Sequence, residues 1–279
     1  MTVPQGPGGE HGSGGDDAAV ERWCREVVEC HTAPFTRPEF LKAVRALSAR
    51  YVERRDELSH KSPLDSAGKR AAFAGFFAPL HFITARAILT ALNASSVSID
   101  RVIDLGCGTG VAGAAWALTH RTNPPVILGV DRNAWALNEA AWTWQTLQLS
   151  GRTRRASITA VLADLVPSQG RGRDSRSGLA RTGILLGWTV NELTRADRES
   201  VLPALIDAAA RGAHVLVIEP IARRAAPWWD HWAAPIVAAG GRTGEWAFPR
   251  LLPPALADLD EAAGFQREEL AARTIAVGF

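Results

Sequence analysis

The stretch Val102-Ile103-Asp104-Leu105-Gly106-Cys107-Gly108-Thr109-Gly110 sets the fold. It joins a short apolar run, typical of a buried strand, to an alanine-rich helical pattern that begins at Val111. Glycines between a strand and a helix allow the chain to turn tightly and let the backbone approach a ligand at the helix N-terminus. The stretch therefore predicts a ligand-binding loop at the carboxyl end of a strand in an α/β fold.

The spacing of these glycines indicates which kind of ligand the loop binds. They follow a G-x-G-x-G pattern, whereas dinucleotide-binding loops follow G-x-G-x-x-G, and Asp104 precedes them. An acid at this position repels a pyrophosphate and suits an ammonium group. No Lys-Ser or Lys-Thr pair follows the loop, which argues against a Walker-type phosphate site.

Five short apolar runs bounded by turn residues predict strands that are buried on both faces. Helical patterns lie between several of them, with Asn133 and Thr194 as N-caps, and this alternation predicts a parallel sheet. Near the C-terminus, residues 266–271 and 274–279 predict two strands of an antiparallel hairpin, separated by Ala272-Arg273. The strands predicted for the parallel part are Arg101–Leu105, Val126–Asp131, Ser157–Leu162, Gly183–Gly187 and His214–Glu219.

The organisation of the chain is predicted from changes in its pattern. Residues 1–18 contain six glycines and two prolines without apolar periodicity, and predict a disordered tail. Residues 19–95 have apolar side chains at helical spacing and predict an N-terminal helical cap, with Pro79 kinking or breaking its last helix. Residues 96–279 contain the glycine loop and the predicted sheet.

The composition excludes several classes of protein. The 279 residues are 47% hydrophobic and 22% charged with a net charge of +2, which is ordinary for a soluble globular protein. The N-terminus lacks a basic segment followed by an apolar run, and no stretch approaches the roughly 18 uninterrupted apolar residues of a membrane span. We therefore expect a cytoplasmic protein. Cys24 and Cys30-His31 do not complete a metal site, and no metal is predicted.

The glycine loop resembles motif I of the class I S-adenosylmethionine (SAM) dependent methyltransferases. The resemblance implies a Rossmann-like seven-stranded sheet whose last strand is antiparallel, and a loop that holds the methionine end of SAM together with Asp104. It also implies that Asp131 binds the ribose hydroxyls and that Asp164 faces the adenine amino group. The residues assigned to the cofactor in this way are Asp104, Gly106, Cys107, Gly108, Gly110, Asp131, Arg132, Asp164, Leu165 and Trp188.

In this superfamily the residues after the fourth strand face the methyl group, and here they are 188–193. Asn191 is a candidate to orient an amino nucleophile and Glu192 a candidate to accept its proton, although both residues would equally anchor the following helix. The tryptophan-rich segment 227–232 follows the fifth strand, where it predicts a lid over the methyl site with His231 as a base. The alternative is a helix that packs its tryptophans on the cap.

Two features concern the methyl acceptor. The turn containing Asn191 and Glu192, with Glu219-Pro220 after the next strand, resembles the ribosomal small-subunit methyltransferase-like family, without that family's cysteine cluster. Residues 151–181 carry seven arginines and two aspartates, a local charge of +5. An RNA acceptor, such as small-subunit ribosomal RNA, is therefore favoured. The alternatives are N- or O-methylation of a small-molecule natural product, and a SAM-binding ribosome-assembly factor without turnover.

Overall fold

The computed structural model describes residues 14–53, 64–166, 178–222, 226–265 and 267–279. The described helices are α1 (Gly14–Thr32), α2 (Arg37–Glu53), α3 (Ala67–Ala72), α4 (Ala78–Ala91), α5 (Val111–Ala117), α6 (Ala134–Thr146), α7 (Ile158–Leu165), α8 (Arg195–Ala210), α9 (Trp229–Ala238) and α10 (Pro254–Ala262). The described strands are β1 (Arg101–Leu105), β2 (Val126–Asp131), β3 (Gly151–Arg155), β4 (Thr182–Gly187), β5 (His214–Pro220), β6 (Arg242–Pro249) and β7 (Glu269–Val277). A π-helical turn, Phe73–Phe77, joins α3 to α4, and short 3₁₀ turns are formed by Ala94–Ser96 and Val190–Glu192.

The seven strands form one sheet in the order β3-β2-β1-β4-β5-β7-β6. The pairs from β3 through to β5 are parallel, whereas β7 runs antiparallel to both of its neighbours, β5 and β6. This confirms the predicted Rossmann-like sheet with an antiparallel last strand. Asn133 and Thr194 cap α6 and α8 as predicted: the Asn133 side chain accepts hydrogen bonds from two backbone N–H groups of the first turn, and the Thr194 hydroxyl accepts one.

Alternate strand residues face two layers of helices, as the twofold period of a strand requires. Val102 and Leu216 point to the face covered by α4, α5 and α6, and α1 packs on the same side. Ile103 and Val217 point to the opposite face, covered by α7, α8 and α9. The two helix layers do not cover the carboxyl ends of the parallel strands, so a ligand site can form at that edge of the sheet.

The N-terminal helices pack over that end of the sheet. Apolar side chains of α1 and α2, including Phe40 and Leu47, form a third cluster with Phe76 and with Leu256 of α10. Helix α4 packs into the sheet core as well as into this cluster. Its contacts therefore do not test the predicted boundary between cap and sheet domain at residue 95, which stays a prediction. The predicted tail at residues 1–13 lies outside the described residues, and 14–18 form the start of α1 instead of a tail.

The stretch Ala67–Ala91 is helical throughout, and Pro79 does not break it. Pro79 lies in the first turn of α4, directly after the π-helical turn, whose wider spacing accommodates a residue without an N–H donor. By length and composition this helix alone, among the described residues, is apolar enough to cross a membrane, but 67% of its most apolar window is buried within the protein. It is a core helix here.

The predicted third strand is wrong. Residues 157–162 begin α7, and the strand beside β2 is β3, whose residues are all exposed. Ile158, Val161 and Leu162 recur at helical spacing and cover the sheet, while Ser157 caps the helix by accepting a hydrogen bond from the Ala160 N–H. An edge strand held by backbone hydrogen bonds needs no apolar run. The arginine-rich sequence of β3 therefore gave no sign of a strand.

The predicted C-terminal hairpin also has the wrong strands. Residues 269–277 form one continuous strand, and its hairpin partner is β6, which the sequence did not predict. Ala272-Arg273 is not a turn, because β7 lies inside the sheet between β5 and β6. Arg273 is buried there with its guanidinium 4.1 Å from the centre of the Trp229 ring.

Gly110 closes the loop before α5 in the left-handed region, with φ of +75°. The Trp144 indole packs against it and donates a hydrogen bond of 2.9 Å to its carbonyl. A Cβ atom at Gly110 would lie 2.7 Å from Trp144 Nε1 and 2.8 Å from the Ala140 Cβ. Gly240 has a similar φ of +88°, but its Cβ would meet nothing within 4 Å.

These two glycines give a matched test of packing at the loop. We expect Gly240→Ala to lower the free energy of unfolding by about 1 kcal/mol, the cost of an alanine in the left-handed region. Gly110→Ala should lower it by a further 1–3 kcal/mol or so, because the new methyl group overpacks the Trp144 contact. Urea denaturation measures both, and equal losses would contradict this account of the loop.

Candidate active site

A cavity of about 820 Å³ opens at the carboxyl ends of β1, β2, β4 and β5, beneath the N-terminal helices. Its volume lies in the range of about 300–1,000 Å³ that is usual for small-molecule sites. One side is built by the glycine loop, another by the turn after β4, and the roof by the π-helical turn and α4. The predicted binding edge of the sheet is thus where the cavity lies.

The glycine loop is held against the end of β2. The N–H groups of Gly106 and Cys107 both donate to the carbonyl of Val130, at 2.8 and 3.0 Å. Gly106 has a φ of +72°, and a Cβ there would lie 2.2 Å from Thr189 Cγ2, so only glycine fits. The Thr189 hydroxyl donates to the Gly106 carbonyl, which ties the loop to the strand-end turn after β4.

Asp104 is buried beneath the loop. Its Oδ2 accepts a hydrogen bond of 3.0 Å from the N–H of Gly113, in the first turn of α5. A Cβ at Gly113 would lie 2.8 Å from that oxygen, so this glycine makes room for the carboxyl. Burial raises the pKa of Asp104 to about 7; the Gly113 hydrogen bond opposes this, and the nearby Asp131 charge adds to it.

Asp131 stands at the end of β2 and faces the cavity. Its Oδ2 accepts a hydrogen bond from the N–H of Gly108 at 3.0 Å, and its Oδ1 accepts one from the N–H of Asn133 at 2.8 Å. Each carboxylate oxygen has a further lone pair. Asp131 is therefore fixed in place and keeps the capacity to accept hydrogen bonds from a ligand in the cavity.

The turn after β4 is anchored by Glu219 at the end of β5. The Val190 N–H donates to Glu219 Oε1 at 2.8 Å, and Asn191 Nδ2 donates to Oε2 at 2.7 Å. Asn191 Oδ1 in turn accepts a hydrogen bond of 2.8 Å from Trp228 Nε1. Burial raises the pKa of Glu219 to about 8, against the effect of these two donors. Both the NH₂ group and the oxygen of the Asn191 amide are hydrogen-bonded within the protein. This agrees with the alternative that Asn191 anchors the turn instead of orienting a nucleophile.

Glu192 differs from Asn191, its neighbour in the same turn. Its side chain lines the cavity, and its carboxylate makes no hydrogen bond within the part of the chain that the structure describes. Burial, reinforced by the charge of Asp131, raises the pKa of Glu192 to about 7. A carboxyl group with this pKa exchanges a proton readily near neutral pH.

Two residues predicted to bind the cofactor lie away from the cavity. Asp164 is exposed on α7, where it forms an ion pair of 2.8 Å with Arg154, and Leu165, the last residue of that helix, packs against the core. Their wrong assignment follows from the misplaced third strand. Asp164 and Leu165 were expected just after a strand, at the binding edge of the sheet, but they lie at the end of a helix. Ala156, Ile158 and Thr159 line this part of the cavity instead. The remaining predicted residues all line it except Gly110, whose carbonyl faces Trp144.

The predicted tryptophan lid is wrong. Trp228 and Trp232 are buried against the sheet face that α7 and α8 also cover, and His231 is exposed on α9, away from the cavity. The antiparallel β7 places α9 against this face of the sheet rather than across the site. The tryptophans pack in the core, on the opposite side of the sheet from α4.

Several lining residues were missed because they come from distant parts of the chain. Phe73 and His81 reach the cavity from the N-terminal helices, and Arg267 reaches it from the segment before β7. Thr109, within the quoted loop, has a buried hydroxyl without a hydrogen-bond partner among the described residues. Gly113 had a visible signal, a lone glycine in an alanine-rich helix.

Residues 74–166, a third of the chain, match the model of the methyltransferase small domain family. They span the π-helical turn, α4, the glycine loop and the three strands β1 to β3, and the whole sheet has the strand order described above. The chain is a class I SAM-dependent methyltransferase. No curated protein sequence matches it.

Solved structures that resemble this methyltransferase have low sequence identity to it. A putative O-methyltransferase from Nostoc punctiforme is 15% identical, with a TM-score of 0.49 over 93% of this chain and 72% of that one. A precorrin-6y C5,15-methyltransferase from Geobacter metallireducens is 12% identical, with a TM-score of 0.44 over 70% and 86%. A putative RNA methyltransferase from Pyrococcus horikoshii is 11% identical, with a TM-score of 0.38 over 71% and 83%.

The cofactor of this methyltransferase is SAM, and the residues present fit it. A positively charged methyl donor suits a cavity into which the acids Asp104, Asp131 and Glu192 face. The unpartnered Thr109 hydroxyl offers a hydrogen bond inside the loop. A Cβ atom added at Gly108 would be in van der Waals contact with the Phe73 ring, at 3.5 Å, so the roof of the cavity lies directly over the loop backbone here. Among the described residues, no group of three His, Cys, Asp or Glu side chains is arranged to hold a metal.

The raised pKa of Asp104 gives a prediction for the ligand-free enzyme. A folded state that holds this proton up to about pH 7, when the ordinary pKa is 3.8, binds more protons than the unfolded chain between those values. The free energy of unfolding contributed by Asp104 therefore falls as the pH rises through this range. Asp104→Asn should show a smaller fall, measured by urea denaturation at several pH values.

The slope against pH separates this effect from altered packing, which shifts stability equally at all pH values. Asp230→Asn, on the exposed surface of α9, is the control and should keep the wild-type slope. An Asp104→Asn variant with the wild-type slope would show that Asp104 is ionised throughout.

Proposed function

We propose that this enzyme transfers the methyl group of SAM to a nitrogen or oxygen atom of a planar acceptor, with Glu192 as the proton acceptor. The observation that carries the proposal is a carboxylate inside the cavity, without a hydrogen-bond partner among the described residues, whose pKa is raised to about 7. Bound SAM supplies an activated methyl carbon. The nucleophile bonds to that carbon as the carbon–sulfur bond breaks, and the electron pair of that bond stays on sulfur. The proton lost by the nucleophile passes to Glu192.

We propose the following positions for the cofactor. The glycine loop and Asp104 would hold the methionine end, with the Thr109 hydroxyl as an additional donor. Asp131, already oriented by the Gly108 and Asn133 amides, would accept hydrogen bonds from the ribose hydroxyls. Arg132 and the backbone near Ala156 would border the base. In this arrangement the protein mainly aligns the methyl group with its acceptor and excludes water.

The acceptor side of the cavity is aromatic and apolar, which supports a planar acceptor. The lining residues on this side come from the roof, the turn after β4 and the start of β7, and include Phe73, Phe77, Leu80, Trp188 and Leu270. Aromatic walls bind a planar ring by stacking or edge contacts. A single ring system fits this description, either as a base turned out of an RNA strand or as part of a small molecule.

Of these two acceptors we propose RNA. The exposed strand β3 carries Arg152, Arg154 and Arg155, and its last residue leads directly to Ala156 at the cavity. Basic side chains beside a pocket for one base are the arrangement that contacts phosphates while a base enters. Part of this charge is used within the protein, since Arg154 pairs with Asp164 and Arg155 donates to the Arg132 carbonyl. Small-subunit ribosomal RNA and a cytoplasmic location remain predictions from the sequence.

The role of Glu192 is tested by Glu192→Gln, which preserves the shape of the side chain. Loss of a general base is expected to lower kcat by about 100-fold or more. Wild-type kcat/KM, which reports the ligand-free enzyme, should rise as the pH increases through about 7, where Glu192 loses its proton, and the variant should lack that rise. Calorimetry should show that the variant still binds SAM. Glu245→Gln, exposed on β6, serves as the control, and wild-type turnover in Glu192→Gln would refute the role.

The RNA acceptor is tested with SAM labelled on its methyl group in a cell extract, with the label counted separately in RNA, protein and small molecules. We expect the label in RNA, and label in small molecules alone would refute the proposal. Arg171, Arg173 and Arg176 belong to the basic segment but lie outside the described residues. Replacing all three with alanine should reduce the salt dependence of binding to small-subunit RNA by up to about three in slope. The same change at Arg22, Arg25 and Arg45, exposed on α1 and α2, is the matched control.

A further inference from the structure

The roof of the cavity contributes one histidine, His81, which lies on α4. Its ring is stacked face to face on the Trp188 indole, with ring centroids 4.0 Å apart and planes 8° apart. The Phe73 ring meets His81 edge to face, at a centroid distance of 6.3 Å and an interplanar angle of 74°. Two aromatic neighbours thus fix the plane of the imidazole, and all three rings line the cavity.

The nitrogens of His81 have no hydrogen-bond partner in the described parts of the chain. Burial, with a smaller effect of the Arg267 charge, lowers the pKa of His81 to about 3, so the ring is neutral near pH 7. A neutral imidazole presents one N–H donor and one nitrogen acceptor. His81 is half-buried and lines the cavity, so its nitrogens can pair with a bound ligand that carries complementary groups.

The backbone around this stack is unusual at two points. Trp188 has a φ of +55°, in the left-handed region that bulky residues rarely adopt, and its N–H donates to the Ile218 carbonyl at 2.7 Å. The π-helical turn Phe73–Phe77 precedes His81 on the roof. Strained residues and π-helical turns both occur frequently at functional sites, because only function or strong packing maintains them. Here they place both Trp188 and Phe73 in contact with His81.

We propose that His81 recognises the methyl acceptor by hydrogen bonds from its ring nitrogens, with Trp188 and Phe73 holding the ring in position. The proposal rests on the proposed function, since it takes the acceptor to be a planar group in this cavity. The matching ligand offers, on the edge of an uncharged ring, a hydrogen-bond acceptor for the His81 N–H or a donor for its other ring nitrogen. The edge of a nucleobase has this chemistry.

His81→Phe removes the ring nitrogens and keeps an aromatic ring on Trp188. With RNA from the extract as substrate, we expect kcat/KM for the acceptor to fall tenfold or more, the usual result when a hydrogen-bonding site is lost. The affinity for SAM should stay within about twofold, because the cofactor's proposed contacts lie on β1, β2 and the glycine loop. Thr90→Ala, exposed on the same helix, is the control. Should His81→Phe not fold, His81→Gln, which keeps hydrogen-bonding groups, should retain more activity than His81→Ala.

A second measurement does not depend on turnover. Adenosine, guanosine, cytidine and uridine are titrated into the enzyme with bound S-adenosylhomocysteine, and the side-chain nitrogens of the seven ¹⁵N-labelled histidines are observed by NMR. His81→Phe identifies the His81 signals. We expect at least one nucleoside to shift them and to bind His81→Phe tenfold or more weakly.

The two measurements separate failure of this inference from failure of the proposed function. If RNA is methylated equally by the wild type and His81→Phe, the proposed function stands and the role of His81 is refuted. If no RNA is methylated, the RNA acceptor fails, and the nucleoside titration still decides on His81. Unchanged His81 signals with all four nucleosides would refute recognition of a base by this residue.

Discussion

The turn of the backbone from β1 into α5 is the constraint on which the site depends. Left-handed glycines let the loop fold back so that two of its N–H groups donate to the Val130 carbonyl at the end of β2. That contact brings the Gly108 amide to Asp131, while Gly113 leaves room for Asp104 under the helix. Since side chains at Gly106 and Gly110 would collide with Thr189 and Trp144, loop, strands and acids form one packed unit.

The charges of the site reinforce one another. Asp104, Asp131 and Glu192 face one cavity, and burial with mutual repulsion raises the pKa of Asp104 and of Glu192 to about 7. A sulfonium ion relieves this repulsion, whereas the demethylated product has lost that charge. The same electrostatic arrangement underlies both the proposed binding of the methyl donor and the proposed proton transfer to Glu192.

The geometry of the turn after β4 is held by contacts that cross the fold. Glu219 of β5 accepts hydrogen bonds from the turn after β4, and Trp228, packed on the far face of the sheet, donates to Asn191 in that turn. From the other side, His81 of the roof stacks on Trp188. The turn that bears Glu192 is thus fixed between the sheet core and the N-terminal helices, as an aligned methyl transfer requires.

The sequence by itself determined the features that depend on local pattern. Apolar runs with turn residues placed β1, β2, β4 and β5, and the glycine loop after β1 carried the resemblance to SAM-binding proteins, because backbone conformation and local polarity are encoded by neighbouring residues. Tertiary structure alone decided what depends on neighbours in space. The arginine-rich β3 is a strand because β2 supplies its hydrogen bonds, and residues 157–162 form a helix because their apolar stripe covers the sheet. Because β7 lies beside β5, Arg273 is buried and the tryptophan segment predicted to be a lid packs in the core. The order of the strands is fixed by long-range packing, which the local sequence does not show.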